Sequence, residues 1–267
     1  MLFGKPFVTT DTPPTPVASH RLNKRVAFER GCSRADAEAL ILGGWVQVDG
    51  KLVDQPQERV RADQVVSVDA KAKVEALQPV TIVWHKPAGV LLPEQAPWDD
   101  AVVAQWINPR THWDQDKSGT RLVRAHWHKL MPLAPMAEKT SGLMALTQRE
   151  GVARKVSDRF APLEHEWFVD VAPDQRWRDE DARAGVVRSM GHAVSLDGEQ
   201  LDRARASWQS ELRLRIAVHG TRPGQVAYLC ERAGVVITGV RRQRLGRIGL
   251  AGLPVGKWRY LTAMEKF

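Results

Sequence analysis

The sequence lacks the features that mark secreted, membrane or disulfide-rich proteins. Only two of its 267 residues are cysteines, Cys32 and Cys230, too few for a disulfide framework or a structural zinc site. No apolar run reaches the roughly 18 residues that a membrane span requires. Residues 1–19 lack the apolar segment of a secretory signal. We therefore expect a cytoplasmic protein without a membrane segment, whose residues 1–20 form a flexible tail.

Positive charge is abundant and unevenly distributed. Lys and Arg number 39 against 31 Asp and Glu, a formal net charge of +8. Residues 201–267 carry 13 basic and 4 acidic side chains, whereas the first 80 residues carry 11 and 10. A basic C-terminal third favours a polyanionic partner, with nucleic acid as the first candidate. Many Arg-rich proteins bind no RNA, so charge alone leaves this question open.

Residues 21–70 are predicted to form a compact unit of two helices and short strands. Leu22 and Val26 lie on one helical stripe, with Phe28 as a further candidate for it. The glycine at position 31 ends this helix. Ser33 is a suitable N-cap for the second helix, and Asp36, three residues later, nearly completes a capping box.

A hairpin is predicted after the helices, because Asp49-Gly50 between two β-like runs favours a type I′ turn. The patterns Arg-Leu-x-Lys, Cys-Ser-Arg-x-x-Ala and Val-x-Val-x-Gly-Lys resemble the alpha-L RNA-binding domain. The resemblance implies that basic and hydroxyl groups contact phosphates of folded RNA. By position these residues are Arg21, Lys24, Ser33, Arg34 and Lys51. In the alternative interpretation, they are solvated surface charges and Ser33 is only a cap.

Residues 71–80 are expected to be a linker, and residues 81–267 a second domain with many strands. Alternating patterns such as Glu211–Val218 predict strands, while Gln225–Arg232 and Glu150–Arg159 predict helices. The predicted fold class is α+β. It comprises a small helix-helix-strand RNA-binding domain and a mixed, largely antiparallel β-sheet domain with flanking helices.

The most informative segment runs from Leu130 to Thr147. Its Pro132 and its run from Thr140 to Leu143 fall on the pattern Pro-Val-Gly-Arg-Leu-Asp-x-x-Thr-Ser-Gly-Leu. This is the catalytic loop of the bacterial ribosomal-RNA pseudouridine synthases, which the segment resembles. Further matches include the strand-Lys-Pro-x-Gly motif ending at Gly89 and the closing segment Leu253–Leu261. The resemblance implies a pseudouridine-synthase fold that needs neither cofactor nor metal.

At three positions that carry catalytic residues in that family, this sequence has a different residue. The position of the family's aspartate is Ala137, and that of its tyrosine is Trp167, which keeps a stacking face without the hydroxyl. The arginine that would pair with the aspartate aligns with Ala227. The reaction requires a carboxylate as nucleophile or base, and losing a nucleophile costs about 10⁴-fold or more in rate. We therefore predict an RNA-binding protein whose catalytic activity is lost.

More of the residues expected to face RNA than of the catalytic residues match the family pattern. In the second domain they are Lys86, Trp167, Arg222, Gln225, Arg242 and Arg244. Trp167 is the predicted platform for base stacking. Arg242 and Arg244 are predicted to share one face of a strand, because side chains two positions apart do so. Lys86 is expected either to meet a phosphate or to hold its loop. The expected partner is structured RNA, in particular ribosomal RNA, bound by a monomer.

Two alternatives remain open. In the first, the protein is an active synthase that uses a displaced carboxylate, for which the neighbouring Glu138 is the best candidate. In the second, the emptied pocket and the histidines His112, His126 and His128 bind a small ligand or a metal. No cysteine or clear fourth ligand lies near these histidines, so no metal site is predicted.

Overall fold

The computed structural model describes residues 19–93, 98–157, 163–196, 198–220, 222 and 224–267. The chain divides into two compact units, residues 1–77 and 78–267. Most of the predicted tail, residues 1–18, lies outside the described residues. No helix within the described part of the chain is long and apolar enough to cross a membrane.

The first unit combines two short helices with five short strands. Its elements are β1 (Ser19–Arg21), α1 (Leu22–Arg30), α2 (Arg34–Leu42), β2 (Val46–Val48), β3 (Lys51–Leu52), β4 (Arg59–Arg61) and β5 (Val66–Val68). Strand β1 pairs with β4, and β2 lies between β3 and β5, all antiparallel. Leu22 and Val26 of α1 pack with Leu40 and Ile41 of α2 in the core of this unit.

The local signals of this unit are confirmed. The Ser33 hydroxyl accepts the Asp36 N–H, and an Asp36 carboxylate oxygen accepts the Ser33 N–H, which completes the capping box. Gly31 ends α1 at φ 62°. Asp49 and Gly50 join β2 to β3 with positive φ angles of 51° and 76°, as a type I′ turn requires.

One core prediction for this unit is wrong. Phe28 is 88% exposed, whereas Val26 is fully buried. Two residues along an α-helix correspond to about 200° of rotation, because each turn takes 3.6 residues. Phe28 therefore points away from the side of α1 that carries Leu22 and Val26.

The second unit is built on one large mixed sheet. Its strands are β6 (Thr81–Lys86), β7 (Met131–Leu133), β8 (Ser141–Thr147), β9 (Glu164–Val171), β10 (Val194–Leu196), β11 (Glu199–Leu201), β12 (Arg205–Ser210), β13 (Arg213–His219), β14 (Ile237–Leu245), β15 (Ile248–Gly249) and β16 (Trp258–Tyr260). Its helices are α3 (Asp100–Trp106), α4 (Glu150–Val156), α5 (Glu180–Met190) and α6 (Gln225–Arg232). Helix α6 matches its predicted bounds, whereas the predicted end of α4 falls beyond residue 157, outside the described residues.

The sheet order is β12-β13-β9-β14-β8-β6-β16, with β15 and β7 attached to β14 and β8. Strands β14 and β8 run parallel, and the other strand pairs of this sheet are antiparallel. The structure confirms the predicted α+β class and the largely antiparallel sheet. The parallel pair brings the residues before β8 next to the first half of β14, and the candidate site lies there.

The two faces of this sheet carry different side chains. Along β9, His165, Trp167, Val169 and Val171 are buried, and the residues between them are half-buried. The larger core joins Trp167 and Val169 to α5, α6 and the tryptophans of residues 84–106. A smaller core on β8, around Leu143 and Ala145, packs against α4 and β15. The strand alternation thus places Trp167 on the same side of the sheet as α6.

Candidate functional site

A pocket of ≈ 530 Å³ opens between the loop before β8, the start of α6 and strands β9 and β14. Apolar side chains form most of its wall. Its lining residues are Pro135, Met136, Ala137, Glu138, Lys139, Thr140, Trp167, Arg222, Gly224, Val226, Ala227, Ile237, Thr238, Gly239 and Val240. A flat, largely apolar ligand suits such a wall, with the polar groups of the rim to orient it.

The three positions singled out in the sequence meet in this pocket. Ala137, Trp167 and Ala227 are far apart in the chain, and all three line it. Among the described lining residues, Glu138 alone carries a carboxylate, and this residue is exposed. The two positions that the sequence motifs align with the aspartate and arginine of pseudouridine synthases thus both present methyl groups to one pocket.

Lys86 holds the loop that forms this wall. Its side chain is fully buried, and its Nζ donates to the carbonyls of Pro87 (3.0 Å), Glu138 (3.1 Å), Thr140 (2.9 Å) and Ala137 (3.4 Å). Burial lowers the pKa of Lys86 to about 8. Of its two predicted roles, the structure shows that of holding the loop. Phosphate contact by Lys86 is contradicted, because the ammonium has no exposed surface.

Hydrogen bonds and a close backbone contact fix the end of the same loop. The Thr140 hydroxyl donates to the Ala137 carbonyl at 2.6 Å, and the Ser141 hydroxyl donates to the Val240 carbonyl at 3.3 Å. Gly142 has φ 110°, and a Cβ there would lie 2.3 Å from the Arg242 carbonyl oxygen. The Thr-Ser-Gly motif therefore has a structural role here, because it joins the loop to β14.

Arg242 lies buried beside the tryptophan of the pocket. Its Nε donates to the Leu143 carbonyl at 2.6 Å, and its guanidinium carbon lies 5.2 Å from the centre of the Trp167 ring. Neither Nη atom has a hydrogen-bond partner among the described residues. Burial lowers the pKa of Arg242 to about 9. Its charge also contributes to the lowered pKa values of Lys86 and His165.

The prediction that Arg242 and Arg244 share one face is wrong. The pairing of β14 with β9 shifts register between these residues, as a β-bulge does. Arg242 stays on the buried side, whereas the Arg244 guanidinium bonds to Glu164 and Glu166 on the other face. The two residues form no common phosphate track, and Arg242 has no exposed surface for RNA.

Arg222 and Gln225 lie where α6 begins. Arg222 is exposed and lines the pocket, as its predicted role requires. Gln225 is only 2% exposed, and its Oε1 accepts the Arg222 N–H at 3.1 Å. The prediction that Gln225 contacts RNA directly is contradicted, because the amide is buried and holds the turn.

In the first unit, all five predicted RNA contacts lie on the surface. Arg21, Lys24, Ser33, Arg34 and Lys51 are exposed. Ser33 also makes the capping bonds described above. Their placement allows phosphate contact without rearrangement.

The three histidines of residues 112–128 have separate partners. His112 bonds to Asp116 at 2.8 Å, His126 to the Tyr260 hydroxyl at 3.0 Å, and His128 to Asp100. Burial lowers the pKa of His126 to about 4. Within the described residues, no three His, Cys, Asp or Glu side chains are placed to hold a metal ion.

Comparisons with known proteins agree with this architecture. Residues 21–66 match the S4 domain family. The dual-specificity RNA pseudouridine synthase RluF of Salmonella typhi is 26% identical over 92% of this chain and 77% of its own length. Ribosomal large subunit pseudouridine synthase B of Bacillus subtilis is 25% identical, with 92% and 93% covered. The putative ribosomal large subunit pseudouridine synthase SVR1 of Arabidopsis thaliana is 28% identical, with 89% and 57% covered.

A crystal structure of a pseudouridylate synthase has the same fold. It superposes with a TM-score of 0.52 at 17% identity and covers 91% of this chain and 96% of that one. The motif resemblance, the S4 domain and the relatives that match along nearly the whole chain point the same way. In sequence, the chain is therefore similar to ribosomal RNA pseudouridine synthases along nearly its whole length, it shares the fold of a pseudouridylate synthase, and its residues 21–66 match the S4 domain family.

Proposed function

We propose that this protein binds structured ribosomal RNA, as a cytoplasmic monomer, on the frame of a pseudouridine synthase whose activity is lost. The observation that carries the proposal is that Ala137 and Ala227, which the motifs align with the aspartate and arginine of pseudouridine synthases, both line one largely apolar pocket. The S4 domain, the basic residues of its surface and the relatives named as RNA pseudouridine synthases support RNA as the partner.

The chemistry of the reaction supports the loss of activity. Pseudouridine formation breaks the C1′–N1 bond of uridine and rejoins the base through C5, which requires a carboxylate at the sugar. A methyl group at position 137 supplies neither a nucleophile nor a base. The absence of the carboxylate alone lowers the rate by about 10⁴-fold or more. Trp167 lines the pocket but is only 4% exposed, with Arg242 beside its ring, and it has no hydroxyl.

The paired loss at positions 137 and 227 is energetically coherent. An arginine at position 227 without its carboxylate would leave an unpaired charge in an apolar wall, which costs several kcal/mol. With alanine at both positions, the wall of the pocket has no uncompensated charge there. Ala137→Asp alone is therefore expected to give no turnover, and Ala137→Asp with Ala227→Arg is the smallest change that restores the pair.

The alternative is an active synthase that uses the Glu138 carboxylate, because Glu138 lines the same pocket. Its main chain is held by Lys86 and by the Gly89 N–H, which donates to the Glu138 carbonyl at 2.9 Å. A carboxylate displaced by one residue leaves the backbone in another direction, and a shift of 1 Å can already cost about 100-fold in rate.

Tritium release from 5-³H-uridine-labelled, unmodified ribosomal RNA tests the proposal, with protein in excess over sites. We expect no release above the no-protein control, while the RNA is retained at moderate salt. Release that disappears in Glu138→Gln would replace the proposal with an active synthase. Absence of both release and RNA retention would refute RNA binding itself.

A further inference from the structure

Helix α1 carries an aromatic side chain that the fold of the first unit does not use. Phe28 is 88% exposed, and the core of this unit is formed without it. A phenylalanine this exposed contributes little to the stability of the fold, because its ring is in contact with water in both the folded and the unfolded state. Its placement therefore points to a partner that covers the ring.

Two cations share the exposed side of α1 with this ring. Lys24 lies four residues before Phe28, and side chains at that spacing are neighbours on a helix. Arg21, the N-cap residue, lies at the start of the same helix, three positions before Lys24. Both cations are exposed, as Phe28 is.

The acidic groups near this stripe are engaged elsewhere. Glu29 accepts a 2.6 Å bond from Arg25, whose guanidinium also binds carbonyls of residues 61–64. Glu38 of α2 accepts the Asn23 amide at 2.8 Å. Arg21, Lys24 and Phe28 themselves include no carboxylate, so the stripe is cationic and aromatic, which favours an anionic partner with flat faces over an apolar protein surface.

We infer that Arg21, Lys24 and Phe28 form a binding site for one unpaired nucleotide of RNA, with the base stacked on Phe28 and its phosphates held by the two cations. The inference rests on the proposed RNA binding and adds a structural preference to it. Base faces are hidden inside a duplex, so an aromatic side chain stacks on a base only where the RNA is bulged or single-stranded. The cations hold phosphates of either form, and Phe28 discriminates between them.

The test compares two RNA hairpins with the same stem, one fully paired and one with a single bulged nucleotide, bound to the full chain at fixed salt. The wild-type protein is expected to prefer the bulged hairpin. Phe28→Ala should lose this preference, with affinity for the bulged form falling about 5- to 150-fold. Phe28→Trp should keep it. Lys24→Gln should weaken binding of both hairpins and reduce the salt slope by about one.

Val65→Ala is the matched control, because Val65 is also exposed in this unit, at 67%. It should leave the preference unchanged. If the wild type and Phe28→Ala show the same preference between the two hairpins, the stacking site is overturned while RNA binding stands. The same holds if Val65→Ala loses the preference for the bulged hairpin. If the wild type binds neither hairpin, the proposed function and this inference both fail. Sedimentation tests a second copy of the chain as the partner. If the wild type forms a dimer and Phe28→Ala is a monomer, the ring contacts the second copy and the inference is overturned.

Discussion

The two units of this chain differ in where their basic motif side chains lie. In the first unit, every basic residue predicted to contact RNA is exposed. In the second unit, Lys86 and Arg242 were predicted as RNA contacts on the same grounds, and both are fully buried. Size explains the difference. A unit of about 50 residues buries few long side chains, whereas a nine-stranded sheet with layers on both faces can enclose the full length of a lysine or an arginine.

A basic motif residue therefore has a different role in each unit. In the first unit, a motif cation is a surface group whose partner comes from outside. In the second unit, Lys86 binds four carbonyls of the chain itself, and Arg242 lies against Trp167. We therefore expect removal of an exposed motif charge in the first unit to lower RNA affinity, and removal of a buried one in the second, such as Lys86, to alter stability or the shape of the pocket.

The largest contrast is expected between Lys86→Met and Lys51→Met. Lys86→Met leaves up to four carbonyls without their donor and should lower the free energy of unfolding of the second unit by about 3 kcal/mol. Lys51→Met, on an exposed hairpin, should leave stability within about 0.5 kcal/mol. Urea unfolding followed by tryptophan fluorescence measures both. Equal stability of the two variants would remove the distinction between the units.

The pH dependence of stability gives the next largest effect. The pKa of Lys86 is about 8 in the folded protein and about 10.4 in an unfolded chain, so the unfolded state binds more protons between these values. The contribution of Lys86 to the free energy of unfolding therefore rises with pH over this window, by at most about 1.4 kcal/mol per pH unit. Unfolding at pH 7.5 and 9.5 measures this contribution as a difference between variants, because buried Cys230, whose pKa burial raises to about 12, contributes with the opposite sign in all of them.

Lys86→Met serves as the reference for that measurement, because it removes the titrating group. The increment between the two pH values should be smaller in this variant than in the wild type. An increment in Lys86→Met as large as that in the wild type would show that Lys86 keeps an ordinary pKa and is therefore hydrated.

A smaller effect, on RNA affinity, separates Arg34 from Arg244. Arg34→Ala removes an exposed cation and should weaken RNA binding about 5- to 10-fold, with a salt slope shallower by about one. Arg244→Ala removes a side chain already neutralised by Glu164 and Glu166 and should change affinity less than 2-fold. Titrations at several salt concentrations measure both slopes. A steeper loss in Arg244→Ala would place RNA on the sheet.

The smallest effect is expected for Arg242→Met. The substitution breaks the bond to the Leu143 carbonyl but also removes a buried charge without a carboxylate partner among the described residues. Replacing a poorly compensated buried ion by an apolar side chain of similar length is often neutral or stabilising. We expect the free energy of unfolding to change by less than about 1 kcal/mol in urea. A loss of about 3 kcal/mol would mean that both Nη groups find acceptors in solution.

Local signals predicted the helices and turns of this protein well, because they depend on neighbours in the chain. The Ser33–Asp36 capping box, the Asp49-Gly50 turn and the bounds of α6 all follow from spacings of a few residues. Strict alternation failed at Arg242 and Arg244 for the corresponding reason. A bulge is decided by the pairing of β14 with β9, about 75 residues earlier in the chain, and the period of two residues contains no sign of it.

By itself, the sequence determined the resemblance to pseudouridine synthases and predicted the three positions that depart from it, since motif residues keep their spacing whatever surrounds them. Only the tertiary structure brought Ala137, Trp167 and Ala227 into one pocket and showed the different roles of the cations around it. The physical reason is desolvation. Whether Lys86 or Arg242 meets water, a carbonyl or a phosphate depends on which layers cover it, and those layers come from distant parts of the chain.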